Sequence, residues 1–162
     1  MTIHMESSDI TEILQKYIII NQNDSSGIWE YAHRPYLTEI LKNLNQIESE
    51  EFSLKIWDWP QSQLYDIADP IIFSNNNYFD ADFLYIKIFS ITTDIEELEY
   101  LVENIILHID LNQDLQIKNW TPELILNLKK NILKIIDLKD DYYRDRLNMV
   151  MKFLNQELKS RE

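Results

Sequence analysis

The 162-residue chain contains no cysteine, which excludes disulfides, thiolate metal sites and thiol catalysis. It has one glycine and four prolines, which leaves little material for phosphate-binding loops and disfavours nucleotide-binding folds. No apolar run approaches the ~20 residues that cross a bilayer, and Glu6 and Asp9 lie where a secretory signal needs basic and then apolar residues. No catalytic motif is found either. These absences predict a cytoplasmic protein that is not an enzyme and needs no cofactor.

The charge is strongly acidic and unevenly placed. The formal net charge is −13, and residues 48–110 hold fourteen acidic residues against only Lys55 and Lys87. Nucleic acids and anionic membranes are bound through Lys and Arg, so neither is an expected partner. Like charges at this density repel one another in the folded state. They form either a solvated surface that keeps the protein soluble or a surface complementary to a basic partner.

Apolar residues recur at helical spacing along the chain and predict an all-α fold, formed as a single domain over residues 1–162. Capping residues and prolines at helix starts divide this pattern into about seven helices. The predicted helices run from about 9 to 21, from Pro35 to about 47, from Asp58 to about Asp69, from Asp80, from Thr93 to about 109, from Thr121 to about 136 and from about 140 to 159. Trp59-Pro60 and Trp120-Thr121-Pro122 resemble each other as helix starts, so the arrangement is a helical bundle or a short HEAT-like solenoid.

Three stretches between or within these helices are each expected to have a particular structure. Residues 50–57 alternate apolar and polar side chains, which predicts one short strand or an extended connection. Pro70 is expected to bend or stop the third helix, because proline cannot continue the helical hydrogen bonding. Residues 74–77 are expected to form a plain loop.

The two helices over residues 80–109 differ in character. The first is apolar on most sides, which predicts that other helices surround it. The second, with a capping box of Thr93 and Glu96, has one apolar and one acidic face. Its expected buried residues are Ile95, Leu98, Leu101, Val102, Ile105 and Ile109. Its expected outward residues are Glu96, Tyr100, Glu103, Asn104 and Leu107.

Candidate catalytic and metal-binding residues have simpler structural explanations. Asp80 and Asp82 are close enough in sequence to be considered as a metal pair. Asp80 is however expected to cap its helix, and Asp82 to interact with the positive end of the helix dipole. None of the three histidines, His4, His33 and His108, has an evident catalytic partner.

Aromatic residues alternate with carboxylates through the acidic segment, a combination that is typical of interface hot spots. Two or three of the following six are expected to be exposed: Trp57, Trp59, Tyr65, Tyr78, Tyr85 and Tyr100.

With this concentration of acid from Trp57-Asp58-Trp59-Pro60 through Asp110, and no catalytic apparatus, the chain resembles the small acidic immunity proteins that bacteria pair with polymorphic or contact-dependent toxins. The resemblance implies a protein that binds a cognate protein toxin with a basic surface and blocks its active site or an exosite, without turnover or cofactor. The residues expected to bind the toxin are Trp59, Asp66, Asp69, Tyr78, Asp82, Glu96, Tyr100, Glu103 and Leu107.

Three alternatives remain open at this point. A helical metal-dependent enzyme would require Asp66, Asp69, Asp80 or Asp82 to converge in a pocket. A DNA-mimicking regulator would arrange its carboxylates in two rows at phosphate-like spacing. An acidic helical adaptor would require neither arrangement.

Overall fold

The computed structural model describes residues 9–108 and 117–162, and within them the chain forms eight helices and no strand. This confirms the predicted all-α fold class. The helices are α1 (Ile10–Ile20), α2 (α-helical over Ser26–Ile28 and Arg34–Lys42, π-helical over Trp29–His33), α3 (Gln46–Lys55), α4 (Gln61–Phe73), α5 (Ala81–Ile91), α6 (Ile95–His108), α7 (Pro122–Ile135) and α8 (Asp141–Ser160). In these two stretches no helix combines the length and apolar character that a membrane span needs.

Four helices begin where the sequence predicts, because their first turns are capped by a neighbouring side chain. Each capping oxygen accepts a hydrogen bond from the backbone N–H three residues further on, over 3.0–3.2 Å. The four caps are Asp9, Asp80, Thr121 and Asp140. A cap of this kind stabilises a helix by about 1 kcal/mol.

The prediction of a strand or extended connection over residues 50–57 is wrong, because most of this stretch belongs to helix α3. Asn45 and Glu48 form a capping box at its start, each side chain accepting from the backbone N–H of the other. Phe52 is buried and Leu54 is exposed, so the alternation of apolar residues does not correspond to two faces of a strand. The capping box is the signal that identifies the helix.

Helix α4 departs from its prediction at both ends. Asp58 lies in a short 3₁₀ turn, and the residue before the helix is Pro60. Pro70 does not end the helix, which continues to Phe73. Since proline has no N–H, the carbonyl of Asp66 loses its usual helical partner, and the chain tolerates this loss near the helix end.

Helix α6 is capped one residue later than predicted. The side chain of Asp94 accepts from the N–H of Glu97 over 3.0 Å, so Asp94 caps this helix where the sequence predicts Thr93. The cap still forms from a short polar side chain in the turn, but the helix starts at Ile95.

Burial along α6 follows the prediction except at its first residue. The four residues confirmed as buried are Leu98, Leu101, Val102 and Ile105. Ile95 is exposed, because it lies in the first turn rather than within the packed length of the helix. Ile109, together with His4, lies outside the described residues.

The chain divides into two units, Met1–Tyr85 and Ile86–Glu162, and the division falls inside helix α5. In the first unit α2 packs against α4, and α1 packs against α3 and α4. In the second unit α6, α7 and α8 pack against one another. Helix α5 is buried on most sides, as predicted, through Leu84, Tyr85, Ile86, Ile88 and Phe89. One hydrophobic core shared by the whole chain stays a prediction.

The π-helical turn of α2 precedes a proline. The N–H of Arg34 bonds to the carbonyl of Trp29, five residues back, instead of four. Pro35 follows at the start of the next α-helical segment and has no N–H to give to the preceding turn. The wider turn accommodates the proline without a break, so residues 26–42 remain one continuous helical segment.

The stretch over residues 74–77, predicted as a plain loop, is partly buried. Ser74 and Asn76 are inside, and Asn75 between them has a φ of 54°. Asparagine adopts this left-handed conformation more readily than most residues with a side chain. The loop is therefore a packed element of the first unit.

Candidate functional site

Helix α6 presents four of the predicted partner-binding residues along one exposed line. Glu96, Tyr100, Glu103 and Leu107 follow one another at spacings of four, three and four residues, which places them on one side of a helix. Tyr100 is 36% exposed and Leu107 is 52% exposed. We call these four residues the α6 strip. The opposite side of the helix is buried, so the core fixes the backbone that carries the strip.

The acidic residues of this face differ in their partners. The carboxylate of Glu103 lies 3.2 Å from the Nζ of Lys139, a side chain that is only 10% exposed. The side chain of Glu103 keeps 42% of its surface open and so remains accessible. Glu96 and Glu99 enter no ion pair among the described residues, and Glu99 lies next to Glu103 on the same face. The free negative charge of this face therefore lies toward the helix N-terminus.

The other five predicted residues belong to the first unit and are not equally accessible. Trp59 and Asp69 are buried, because Trp59 packs edge-on against Phe52 and Asp69 lies 3.7 Å from the guanidinium of Arg34. Neither forms part of an exposed surface.

The other three predicted residues of the first unit are exposed to solvent to different degrees. Tyr78 is exposed, and Asp66 and Asp82 are half-buried. Among the six aromatic residues of the acidic segment, Tyr78 and Tyr100 are the exposed ones. This agrees with the expectation of two or three.

Asp66 lies in an environment that is unfavourable for its negative charge. Burial raises the pKa of this carboxyl from 3.8 to about 6, and the positive charge of Arg34 opposes the rise only in part. The folded state therefore binds a proton at Asp66 more tightly than the unfolded chain does. Ionised Asp66 lowers stability, and this loss develops as the pH rises from about 4 to about 6 and is complete above that range.

Replacing Asp66 by Asn is expected to raise the free energy of unfolding by about 1–2 kcal/mol at pH 7.5, because it removes a partly screened, poorly solvated charge. The gain should disappear below about pH 4, where Asp66 is protonated in both states. Urea denaturation of both proteins between pH 3.5 and pH 8 measures it. Asp58→Asn makes the same change at an exposed position and is expected to shift stability by less than about 0.5 kcal/mol. A gain from Asp66→Asn that does not change with pH would contradict this prediction.

A hydrogen-bonded chain in the first unit connects Tyr17, His33 and Asp24. The hydroxyl of Tyr17 lies 2.7 Å from His33 Nδ1, and His33 Nε2 lies 2.7 Å from the Asp24 carboxylate. With the proton on Nε2, the imidazole donates to Asp24 and accepts from Tyr17, so both ring nitrogens are satisfied. His33 is buried at the end of the π-helical turn.

Sequence reasoning missed this chain because its members come from α1, the following loop and α2. The order of hydroxyl, imidazole and carboxylate resembles that of a nucleophile with its base. Burial, followed by the charges of Tyr36 and Asp24, raises the pKa of Tyr17, which keeps its hydroxyl protonated. A protonated hydroxyl acts as a hydrogen-bond donor, so the chain ties α1 to the π-helical turn. In the sequence, the closeness of His33 to Trp29 and Tyr36 is a local signal for an aromatic cluster, but it does not identify Tyr17 or Asp24 as partners.

Two of the four carboxylates that a metal-dependent enzyme would require take part in separate structural interactions. Asp69 is paired with Arg34, and Asp80 caps α5. In the part of the chain that the structure describes, no group of three or more histidine or carboxylate side chains is placed to hold a metal ion.

The described geometry thus contains an exposed acidic and apolar helix face, a half-buried carboxyl whose pKa is raised, and a closed hydrogen-bonded chain. A comparison with protein families, with curated proteins and with solved structures finds no match to this chain.

Proposed function

We propose that this protein binds and neutralises a cognate protein toxin that has a basic surface, and that the α6 strip is its contact surface. The observation that carries the proposal is the exposure of Tyr100 and Leu107 on the same face as Glu96, Glu99 and Glu103, on a helix whose other side is buried. A surface fixed in advance loses little conformational entropy on binding. Aromatic side chains contribute large contact areas at protein interfaces.

Charge supports the same proposal. Fourteen acidic residues over residues 48–110 create a negative potential that attracts a basic partner and accelerates encounter. The carboxylates of Glu96 and Glu99, which enter no ion pair among the described residues, lie beside Tyr100, so steering and aromatic contact occur at one place. In this proposal the pair between Glu103 and Lys139 holds the acidic side chain in position.

The test needs a candidate toxin, and the gene immediately upstream identifies one if it encodes a large secreted protein, whose carboxyl-terminal domain is then used. Changing both Glu96 and Glu99 to Lys is expected to slow association about tenfold or more at low salt, because steering is reversed locally. Stopped-flow or biosensor kinetics measures the association rate. Glu103 is left unchanged, because a lysine there would face Lys139 and weaken the fold.

A matched control carries the same change in net charge at other positions. Glu123 and Asp145 are exposed acidic residues of α7 and α8, and both are changed to Lys. The control is expected to slow association by no more than about threefold, through net charge alone. Equal slowing by both double variants would remove the α6 strip from the proposal. Absence of binding by the unmodified protein would reject the toxin.

A further inference from the structure

Helix α7 carries an exposed face that is basic, in contrast to the acidic chain as a whole. Leu126 is 52% exposed and Leu133 is 59% exposed, and together with Lys129, Lys130 and Lys134 they line a shallow apolar groove. We call these five residues the α7 face. Ile125, Leu128, Ile132 and Ile135 are buried on the other side of the helix. The α7 face therefore points to solvent from a helix that the core holds in place.

The lysines of this face differ from Lys139 in their pairing. Among the described residues, no ion pair involves Lys129, Lys130 or Lys134, whereas Lys139 further along is paired with Glu103. Three unpaired cations around two exposed leucines favour an occupant that is both apolar and acidic. The chain itself contains a surface of this kind.

The α6 strip and the α7 face are complementary in spacing and in charge. In the strip the apolar residues Tyr100 and Leu107 are seven positions apart, with glutamates in the turns beside them. In the α7 face Leu126 and Leu133 are also seven positions apart, with lysines in the turns beside them. Seven residues of helix cover about 10.5 Å, so both apolar pairs can meet in one contact.

We propose that the α7 face of one copy of this protein binds the α6 strip of a second copy. Within one copy α6 and α7 pack against each other through their buried sides, so the strip and the face lie on outer sides and cannot meet. If the strip and the face pair twice, reciprocally, the contact closes a two-fold dimer. If they pair once, the contact is heterologous, and association continues beyond a dimer unless a ring closes. The inference needs no toxin, and it means that self-association covers the strip.

A second copy fits the charge distribution better than a membrane or a nucleic acid does. Three lysines neutralise few phosphates, and the net charge of −13 repels any extended anionic surface. A second copy offers negative charge only where the strip lies, with apolar contact beside it. A contact between two single helix faces is small, which predicts weak, concentration-dependent association.

Sedimentation velocity of the full chain over a concentration series at low salt tests the proposal. The unmodified protein is expected to show a weight-average sedimentation coefficient that rises with concentration and falls when salt is added. Two double variants test the two surfaces: the groove variant carries Lys130→Glu and Lys134→Glu, and the strip variant carries Glu96→Lys and Glu99→Lys. Each variant should lose the rise with concentration, because its association weakens at least tenfold. All four positions are exposed or half-buried, and circular dichroism verifies that the helices are retained.

An equimolar mixture of the two variants provides the decisive arm. In the mixture, the acidic strip of one variant meets the basic groove of the other, and the acidic groove meets the basic strip. Association should return in the mixture although neither variant associates alone. The single substitution Leu133→Gln changes no charge, and when it is introduced alone it should also weaken self-association.

Four results would overturn the proposal. The first is an unmodified protein that stays monomeric at every concentration, and the second is association that both charge variants retain. The third is a mixture that remains monomeric while its two components are folded. The fourth is binding of the monomer to phosphatidylserine vesicles that is lost in the groove variant, which would assign the α7 face to lipid.

Discussion

Replacing Asn131 by Asp is expected to lower the free energy of unfolding by about 3–5 kcal/mol at pH 7.5, because it places an uncompensated charge inside the protein. Asn131 is buried on α7, and its side-chain amide donates to three backbone carbonyls at the end of α5. The acceptors are Phe89, Ser90 and Thr92, at 2.8, 3.1 and 3.1 Å from Nδ2. A carboxylate in this position has no proton to donate and faces three oxygens instead.

The loss caused by Asn131→Asp should depend on pH in a defined direction. Burial and the facing carbonyls raise the pKa of the introduced carboxyl above its value of about 3.9 in the unfolded chain. The penalty is therefore complete above the folded pKa and shrinks as the pH falls toward about 4, where the protonated group donates one hydrogen bond. Urea denaturation at pH 7.5 and pH 4.5 measures this change.

Asn127→Asp is the matched control, since it makes the same change one turn earlier on α7 at a half-buried position. It is expected to cost less than about 1 kcal/mol. Equal losses from Asn131→Asp and Asn127→Asp would mean that a negative charge added to α7 lowers stability wherever it is placed. The three carbonyls facing position 131 would then not be the cause.

The fold class and four of the eight helix starts could be predicted because the signals are local. Asp9, Asp80, Thr121 and Asp140 each bond to an N–H three residues away, so a short window contains both partners. The errors of this kind were also local. The sequence of α3 carries two local signals that disagree, because the capping box of Asn45 with Glu48 predicts a helix and the alternation over residues 50–57 predicts a strand.

The polar interactions inside each unit could not be predicted, because their partners are distant in sequence. Asn131 lies 39 to 42 residues from its three acceptors, and Asn76 lies 35 residues from Leu41. Nothing in the neighbourhood of either asparagine distinguishes it from the exposed asparagines nearby. Helical periodicity predicts which face is buried, but it does not say which polar side chain is buried with that face.

The shared face of the α6 strip could be predicted, because it depends on residues of one helix alone. A single helix determines that Glu96, Tyr100, Glu103 and Leu107 share a side, so their alignment depends on spacing alone. The pairing of Glu103 with Lys139, 36 residues away, depends on how α6 packs against the segment between α7 and α8. Spacing therefore predicted the position of each strip residue but not which glutamates keep a free charge.

In the first unit, Asn76→Ala is expected to lower the free energy of unfolding by about 2–3 kcal/mol. Asn76 is buried, and its Nδ2 donates to the carbonyl of Leu41 over 2.8 Å and to the hydroxyl of Ser49 over 3.0 Å. Its Oδ1 accepts from the backbone N–H of Tyr78 over 2.7 Å. One side chain thus connects the ends of α2 and α4 with α3, and alanine leaves a buried carbonyl and N–H without these bonds.

Two further variants separate the contribution of Asn76 from that of the loop around it. Ser49→Ala removes only the bond to the hydroxyl and is expected to cost about 1 kcal/mol, since the amide keeps its bonds to Leu41 and Tyr78. Asn77→Ala changes an exposed neighbour and is expected to cost less than about 0.5 kcal/mol. Chemical denaturation at one pH ranks the three variants. A loss from Asn77→Ala as large as that from Asn76→Ala would show that loop conformation, rather than the buried amide, provides the stability.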